Sequence, residues 1–352
     1  MIKVKESRDR GFRIGGKSKA TMASEAASGQ LPKIDFSGVG LADSGSPAWT
    51  AVRDQVMRAM ATVGCFEAVY DRVSPHLRDS LLRMVSQELF PLPREVKIKN
   101  SSAKIYGGYM GQIPGLAYES LAITGASDAA GVDNFFSLLW PDGNPRFSET
   151  TLSFATKLVE LEEMVRRMVW ESLGVAKYQV EPSESAVYYM LRFAKYGEEK
   201  EGAEEKGEEV KLAGCEVHRD TNAFSMVCQL NEVDGLEVQI SENEEEWVSV
   251  KPSSRASIFV LAGNAIRAWT DGRIRAAPHR VTVDGKNPIR YSAMIFSVPH
   301  DDYVIQAPPE LVDNAHPSLF KPYKYGDFLA YLLTEEGVKA KDKLTPYRRV
   351  VA

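Results

Sequence analysis

Apolar residues recur at helical spacing in three stretches of the first half of the chain. Two of these stretches begin with a serine followed by a proline, at Ser46 and Ser74, which is the pattern of a capped helix start. The longest stretch begins at Ser148 and ends at Gly174. Each has one apolar face, so we expect packing helices here. Their apolar positions are Val52, Val56, Met60 and Val63, then Leu77, Leu81, Val85 and Leu89, then Leu158, Leu161, Val165 and Met168.

The pattern changes near Ala186, where short β-branched, aromatic or alternating segments take over. Turn sequences such as Val233-Asp234-Gly235 separate these segments. This spacing predicts an all-β sandwich or barrel. The strand-like segments are AVYYMLRFAKY, FSMVCQL, LEVQI, WVSVKP, SIFVLAG, HRVTV and IRYSAMIFSVP.

Two stretches follow neither period. Residues 100–146 are rich in Gly, Tyr and Pro, and we expect an irregular segment whose aromatic side chains either line a pocket or cover the core. Residues 197–211 contain seven Glu and three Lys, which predicts a solvated, mobile loop between two strands.

These patterns divide the chain into regions. Residues 1–30 are interpreted as a disordered leader, or as an added or transit extension. Folded sequence is expected to start near residue 31, with a helical region over 31–180 and the β core over 181–305. The remaining residues, 306–352, are expected to form a C-terminal lid and tail with a helix at 327–333.

The composition excludes several functional classes. The 43 Lys and Arg against 48 Asp and Glu give a net charge of −5, which argues against a nucleic-acid partner. No apolar run approaches the ~20 residues of a membrane-spanning helix, so a membrane is not an expected partner. Three cysteines without CxxC spacing, Cys65, Cys215 and Cys228, predict no disulfide framework and a reducing, cytoplasmic location.

His218 and Asp220 form half of a candidate metal site. In a strand, side chains two residues apart project from the same face, so an imidazole and a carboxylate at this spacing can share one ion. His279, on a later predicted strand, is the natural third ligand. Two imidazoles and one carboxylate are the ligand set of non-haem Fe(II) sites that activate O₂. The alternative is that each histidine is an ordinary buried or surface residue, and HxD alone does not decide between the two.

A second pair of residues follows His279 on the next predicted strand. Arg290 and Ser292 share one strand face, because they too are two residues apart. An arginine fork beside a hydroxyl suits a carboxylate, which it binds by charge-assisted hydrogen bonds. The pair therefore fits an anchor for a dicarboxylate that also reaches the metal.

In these motifs the sequence resembles the plant soluble Fe(II)/2-oxoglutarate-dependent dioxygenases. The motifs are HxD at His218 and Asp220, a distal His279 followed by Arg-Val, and RxS at Arg290 and Ser292. The resemblance covers about residues 31–335 and extends to LPKIDF at 31–36, GCFE at 64–67, DGLEV at 234–238 and WTDGR at 269–273. LWPDGN at 139–144, LRFAKY at 191–196 and DNAHPSLFKP at 313–322 are similar to the glucosinolate side-chain (alkenyl and hydroxyalkyl producing) and auxin-oxidising group.

The resemblance implies a mainly β fold, a double-stranded β-helix or jelly roll with N-terminal helices and a C-terminal helix. It implies that the three metal-ligand candidates form the catalytic Fe(II) site. Arg290, Ser292 and Tyr196 would contact 2-oxoglutarate, although Ala194 stands where many relatives have an asparagine that contributes to this site. The implied reaction uses O₂, with ascorbate as activator, and releases succinate and CO₂. It hydroxylates a small plant specialised metabolite or hormone, and the expected assembly is a monomer.

Three residues are candidates for facing the substrate. Phe296 shares the face of Ser292, although it fits a core position equally well. Tyr118 belongs to the aromatic segment. Arg219 either lies on the strand face opposite the metal or binds an anionic substrate group at the pocket rim.

Other functions stay open from the sequence. The same cofactors support desaturation, demethylation or ring closure instead of hydroxylation. A non-catalytic jelly-roll binding protein is a different class, but it would have no need for an exchangeable metal face. An oxidase that uses no 2-oxoglutarate would leave the RxS pair and Tyr196 unexplained.

Overall fold

Helices precede and follow a β-rich centre in the computed structural model. It describes residues 30–111, 113–179, 186–197, 211–241, 246–284 and 289–348. The helices are α1 (Pro47–Thr62), α2 (Pro75–Met84), α3 (Arg94–Lys97), α4 (Ala129–Leu139), α5 (Pro145–Ser172), α6 (Asn264–Trp269), α7 (Tyr325–Leu332), α8 (Glu335–Lys339) and α9 (Leu344–Arg348). A π-helical turn, Val85–Leu89, continues α2.

The strands alternate with short connections through the second half of the chain. They are β1 (Lys33–Asp35), β2 (Cys65–Val69), β3 (Tyr118–Thr124), β4 (Val187–Tyr196), β5 (Lys211–His218), β6 (Phe224–Gln229), β7 (Leu236–Gln239), β8 (Trp247–Ser249), β9 (Ser257–Ala262), β10 (His279–Asp284), β11 (Arg290–Pro299), β12 (Val304–Ile305) and β13 (Tyr323–Lys324).

Two sheets form the centre of the molecule. The larger has seven strands in the order β1-β2-β9-β6-β11-β4-β3, and the smaller has four in the order β5-β10-β7-β8. Residues of both sheets, among them Met294 of the larger and Val238 and Val281 of the smaller, share one buried cluster. The expected mainly β fold with flanking helices is therefore confirmed.

The helices cover the outer face of the seven-stranded sheet. The longest helix, α5, packs against α1, α2, β6 and β11. The outward side chains of β4, such as Leu191 and Phe193, join the helices in a second and larger cluster. The predicted serine caps hold: Ser46 Oγ accepts from the Trp49 amide at 3.1 Å, and Ser74 Oγ accepts from the Leu77 amide at 3.2 Å.

The structure corrects two predictions in the first half. Helix α5 begins at Pro145, and its cap is Asn144, whose side chain accepts from the Phe147 amide at 3.3 Å. Ser148 does not cap it, because its hydroxyl donates to Asp133 instead. The stretch 100–146 is only partly irregular, since it contains β3 and α4. Pairing with β4 holds β3 in the sheet, and this long-range contact leaves no periodicity in the sequence.

The predicted leader lies almost wholly outside the described residues, as do residues 198–210 of the predicted acidic loop. The C-terminal helical pattern forms α7, whose first residue, Tyr325, has its hydroxyl 3.0 Å from Thr221 Oγ1. No helix in the described ranges is both long and apolar enough to cross a membrane.

Gly64 joins α1 to β2 and provides a test of this packing. Its φ is +79°, and an added Cβ would lie 2.1 Å from the Arg275 carbonyl oxygen. Gly143 has a similar φ of +76° but open space around it. We expect Gly143→Ala to cost about 1–2 kcal/mol of unfolding free energy from left-handed backbone strain alone. Gly64→Ala should cost at least about 3 kcal/mol because a backbone clash is added. Denaturant unfolding of both variants measures this, and equal costs would contradict the close approach.

Candidate active site

Two histidines face each other across neighbouring strands. His218 is the last residue of β5 and His279 the first of β10, and the antiparallel register places them directly opposite. Their ring centroids are 4.2 Å apart. Asp220 lies two residues after His218, with Oδ1 at 3.5 Å from His218 Nε2 and 3.7 Å from His279 Nε2. One ligand atom from each of the three residues lies within 4.8 Å of the others, which fits a single metal ion.

The prediction that Asp220 lies on the same strand as His218 was wrong. The strand ends at His218, so Asp220 belongs to the loop that follows and not to a continued strand. A backbone hydrogen bond holds this loop against α6, because the Asn264 amide donates to the Asp220 carbonyl at 2.7 Å. At Gly263 an added Cβ would lie 2.1 Å from the Asn222 carbonyl oxygen, so only glycine lets the loop pack here.

Backbone carbonyls set the orientation of both imidazoles. His218 Nδ1 lies 2.8 Å from the Glu216 carbonyl, and His279 Nδ1 lies 3.3 Å from the Ala277 carbonyl. A carbonyl only accepts, so each Nδ1 carries the proton and donates it. Each ring therefore turns its Nε2 towards Asp220, which is the arrangement of a metal-binding histidine.

The carboxylate of Asp220 is oriented in the same way. Ser225 Oγ donates to Asp220 Oδ2 at 2.6 Å, which leaves Oδ1 directed at the two imidazoles. Burial would raise the pKa of the Asp220 carboxyl, but His279, His218 and Ser225 hold it well below its usual range. Burial lowers the pKa of His279 to about 4, so this imidazole is neutral at pH 7. A neutral imidazole and a carboxylate are the ligand forms that a divalent metal needs.

The inward side chains of β4, β6 and β11 border the space between the two sheets, which is called the chamber below. The outward residues Phe193 and Ile295 have 0% exposure. Inward Met190 and Met294 keep 8%, and inward Phe296 is only partly buried although it lies on a central strand. The metal-ligand candidates face this space, since inward Ser225 contacts Asp220.

Arg290, Ser292 and Tyr196 meet at one end of this chamber. Arg290 pairs with Tyr196 in the sheet, and its guanidinium lies 5.1 Å from the centre of the Tyr196 ring. Arg290 is 1% exposed, yet its Nε and Nη2 have no hydrogen-bond partner among the described residues. Ser292 Oγ also lacks a partner of good geometry within that part of the chain. Buried donors without acceptors fit a carboxylate ligand such as one end of 2-oxoglutarate.

The three substrate-facing candidates have different surroundings. Phe296 lies on the chamber wall and packs against both clusters. Tyr118 pairs with Tyr196, with ring centroids 5.2 Å apart, so it borders the Arg290 end. Arg219 donates from Nε to the Ala276 carbonyl at 2.9 Å, and its charge acts on Asp342 near the C-terminus. These contacts agree with the interpretation that Arg219 faces away from the metal site.

Sequence reasoning missed three residues that matter here. Ser225 and Gly263 support Asp220, but a lone serine and a lone glycine give no signal without the fold. Arg192 also faces the chamber, and this could have been found by counting in twos along β4 from Tyr196.

Comparison with known proteins identifies the class. Residues 188–299 match the 2OG-Fe(II) oxygenase superfamily, and residues 31–118 match the N-terminal region of the non-haem dioxygenase in morphine synthesis. The probable 2-oxoglutarate-dependent dioxygenase AOP1 of Arabidopsis thaliana is 40% identical over 309 residues, which cover 88% of this chain and 98% of that relative. The chain therefore belongs to the 2OG-Fe(II) oxygenase superfamily.

A solved structure and a further curated relative are also similar to this chain. The dioxygenase for auxin oxidation of rice is 28% identical, with a TM-score of 0.71 over 91% of this chain and all of that one. The AOP2 dioxygenase of Arabidopsis thaliana is 32% identical over 90% of this chain and 97% of that relative. The protein is a 2-oxoglutarate-dependent dioxygenase that uses Fe(II) and 2-oxoglutarate, and the predicted family, jelly-roll fold and plant group are confirmed.

Proposed function

We propose that this dioxygenase hydroxylates a small plant specialised metabolite or hormone at an Fe(II) site formed by His218, Asp220 and His279. The observation that carries the proposal is the convergence of the Nε2 atoms of both histidines and Oδ1 of Asp220 on one point of the chamber. The rice relative, described as acting in auxin oxidation, supports a small organic substrate.

A second part of the proposal concerns the co-substrate. Arg290 and Ser292 bind the distal carboxylate of 2-oxoglutarate, and Tyr196 lies beside it. Support comes from the buried guanidinium and hydroxyl donors that lack protein acceptors in the described ranges. Burial also lowers the pKa of Arg290, and a bound carboxylate would offset the cost of burying this charge.

The chain's own residues prepare the site for the reaction. Fe(II) and 2-oxoglutarate, when bound, supply O₂ activation and the oxidation of a C–H bond, with succinate and CO₂ released. The Glu216 and Ala277 carbonyls and Ser225 fix the ligand atoms before the metal arrives. Preset geometry lowers the reorganisation that binding requires. The walls at Met294 and Phe296 exclude bulk water from the reacting carbon.

Further features complete the proposal. O₂ is the oxidant and ascorbate the activator that keeps iron reduced. The protein acts as a monomer in the cytoplasm, without nucleic-acid or membrane partners. The net charge of −5 supports the absence of a nucleic-acid partner, and three cysteines without metal or redox spacing support a reducing location.

Succinate release tests the reaction itself. With Fe(II), ascorbate and 2-oxoglutarate, we expect a plant metabolite extract to stimulate succinate release by the wild-type protein. Asp220→Ala should lower the rate at least roughly 100-fold, because one of three metal ligands is removed. A product heavier by one oxygen indicates hydroxylation, whereas a loss of two hydrogens indicates desaturation. Full activity of Asp220→Ala would refute the metal site.

Arg290 allows the 2-oxoglutarate anchor to be tested separately. Arg290→Gln removes both the positive charge and the guanidinium group that can form two parallel hydrogen bonds. Arg290→Lys keeps the charge but not the guanidinium group. We expect the KM for 2-oxoglutarate to rise roughly 10- to 100-fold in Arg290→Gln, and less in Arg290→Lys. Fe(II) affinity should stay close to that of the wild type in both. An unchanged KM would place the co-substrate elsewhere.

Ser225 tests the support of the carboxylate. Ser225→Ala should weaken Fe(II) binding by about 10- to 100-fold, since Asp220 loses the hydrogen bond that orients it. Ser297→Ala is the matched control, because Ser297 is equally buried but its hydroxyl bonds only to the Phe224 backbone. Titration with Fe(II) under anaerobic conditions measures both. Equal effects in the two variants would point to general destabilisation instead.

A further inference from the structure

Arg192 is a second arginine on the chamber wall. It lies on β4 with the same orientation as Tyr196, and the sheet register pairs it with Met294. Among the described residues of β3, β4, β6 and β11, Arg192 and Arg290 are the arginines that face inward. Arg192 is four residues from Tyr196, or roughly 13 Å along the strand, so it cannot share the carboxylate that Arg290 holds.

Neutral groups surround this guanidinium. Nη1 donates to Ser120 Oγ at 2.6 Å and lies 3.4 Å from the Gly108 carbonyl, while Nη2 donates to the Tyr106 carbonyl. No carboxylate lies within ion-pair distance of Arg192 in the described part of the chain. Its exposure is only 5%, so water does little to offset the charge. A buried cation with neutral partners alone is costly, which favours an anion that completes the site.

The backbone of the segment that covers Arg192 is strained at Tyr106. Tyr106 has a φ of +61°, a left-handed conformation that non-glycine residues rarely adopt. Its side chain is 45% exposed, so side-chain packing does not hold it in this shape. Its carbonyl is turned to Arg192 instead. Backbone strain of this kind gathers at ligand sites.

Arg192 lies within the reach of a small molecule from the metal-ligand candidates. Ser225, which contacts Asp220, pairs with Phe296, and Phe296 pairs with Met190, two residues from Arg192. From β6 to β4 is two strand spacings, so Arg192 and Ser225 are roughly 12 Å apart at Cα. A small molecule can therefore reach from the guanidinium to the metal-ligand candidates.

We infer that Arg192 binds a carboxylate of the organic substrate, so that the substrate class is a small organic acid. This inference rests on the proposed function and assigns Arg192 as its specificity-determining residue. The planar guanidinium of arginine matches a carboxylate, with which it can form two parallel charge-assisted hydrogen bonds. Arg219, the other candidate for an anionic group, is directed to the Ala276 carbonyl.

The experiment separates acidic from neutral substrates without knowing their identity. A plant metabolite extract is divided on an anion exchanger into a retained and an unretained pool, and part of the retained pool is methyl-esterified. Each pool is given to wild-type protein, Arg192→Gln, Arg192→Lys and Arg219→Gln, and succinate release is measured with and without it. Arg146→Gln, an exposed arginine remote from the chamber strands in the sequence, is the control for lost charge.

We expect the retained pool to stimulate wild-type protein and esterification to abolish the effect. Arg192→Gln should need roughly 10- to 100-fold more of the retained pool for the same stimulation, and Arg192→Lys an intermediate amount. The circular-dichroism spectra of both variants should match that of the wild type, which shows that they fold, and the KM for 2-oxoglutarate should stay close to the wild-type value because Arg290 is the proposed anchor of that carboxylate.

Several outcomes would overturn the inference. They are stimulation by the unretained pool alone, a normal response of Arg192→Gln, or a loss confined to Arg219→Gln. Absence of 2-oxoglutarate-dependent succinate release from wild-type protein would instead refute the proposed function, so the two failures are distinguishable.

Discussion

The rest of the site depends on one cross-strand pair, His218 opposite His279. An antiparallel register fixes the separation of directly opposed residues, so the pairing of β5 with β10 sets the distance between the two imidazoles before any ligand binds. Asp220 completes the set from a loop, and a loop needs support that a strand does not. Ser225 and the close packing at Gly263 give that support. Strand pairing thus positions the two histidines, and local hydrogen bonding and packing position Asp220.

The seven-stranded sheet has two different faces, and this difference creates the chamber. Its outer face is sealed by helices, with Phe193 and Ile295 fully buried. Its inner face carries polar and charged groups that apolar packing cannot satisfy, above all Arg290 and Ser292. Removing these groups from water without a partner costs free energy, which the proposed 2-oxoglutarate carboxylate would recover. In the proposed complex, the stability of this face is coupled to ligand binding.

The sequence predicted local features well and long-range ones poorly. Serine caps at Ser46 and Ser74 were readable because capping involves neighbours within three residues. The cap at Asn144 was missed, since Ser148 offered an equally good local signal and only its contact with Asp133 excludes it. Strand β3 was missed because its partner is some 70 residues away. The metal-ligand candidates were found from spacing. The inward orientation of Arg192 could be read from spacing too, but its contacts depend on the strand register and on a loop that the sequence does not place.

The two inward arginines lie in a protein whose net charge is −5, so the attraction of anions into the chamber is local. Two bound anions would also repel each other. If the anions are as far apart as Arg192 is from Tyr196, the strand partner of Arg290, their separation is roughly 13 Å, and at an effective dielectric constant of about 20 this repulsion is about 1.3 kcal/mol. Each arginine contributes about 1.5–3 kcal/mol through charge-assisted hydrogen bonds. Attraction therefore exceeds repulsion at this spacing, and the same chamber can hold a dicarboxylate at Arg290 and an acidic substrate at Arg192 together.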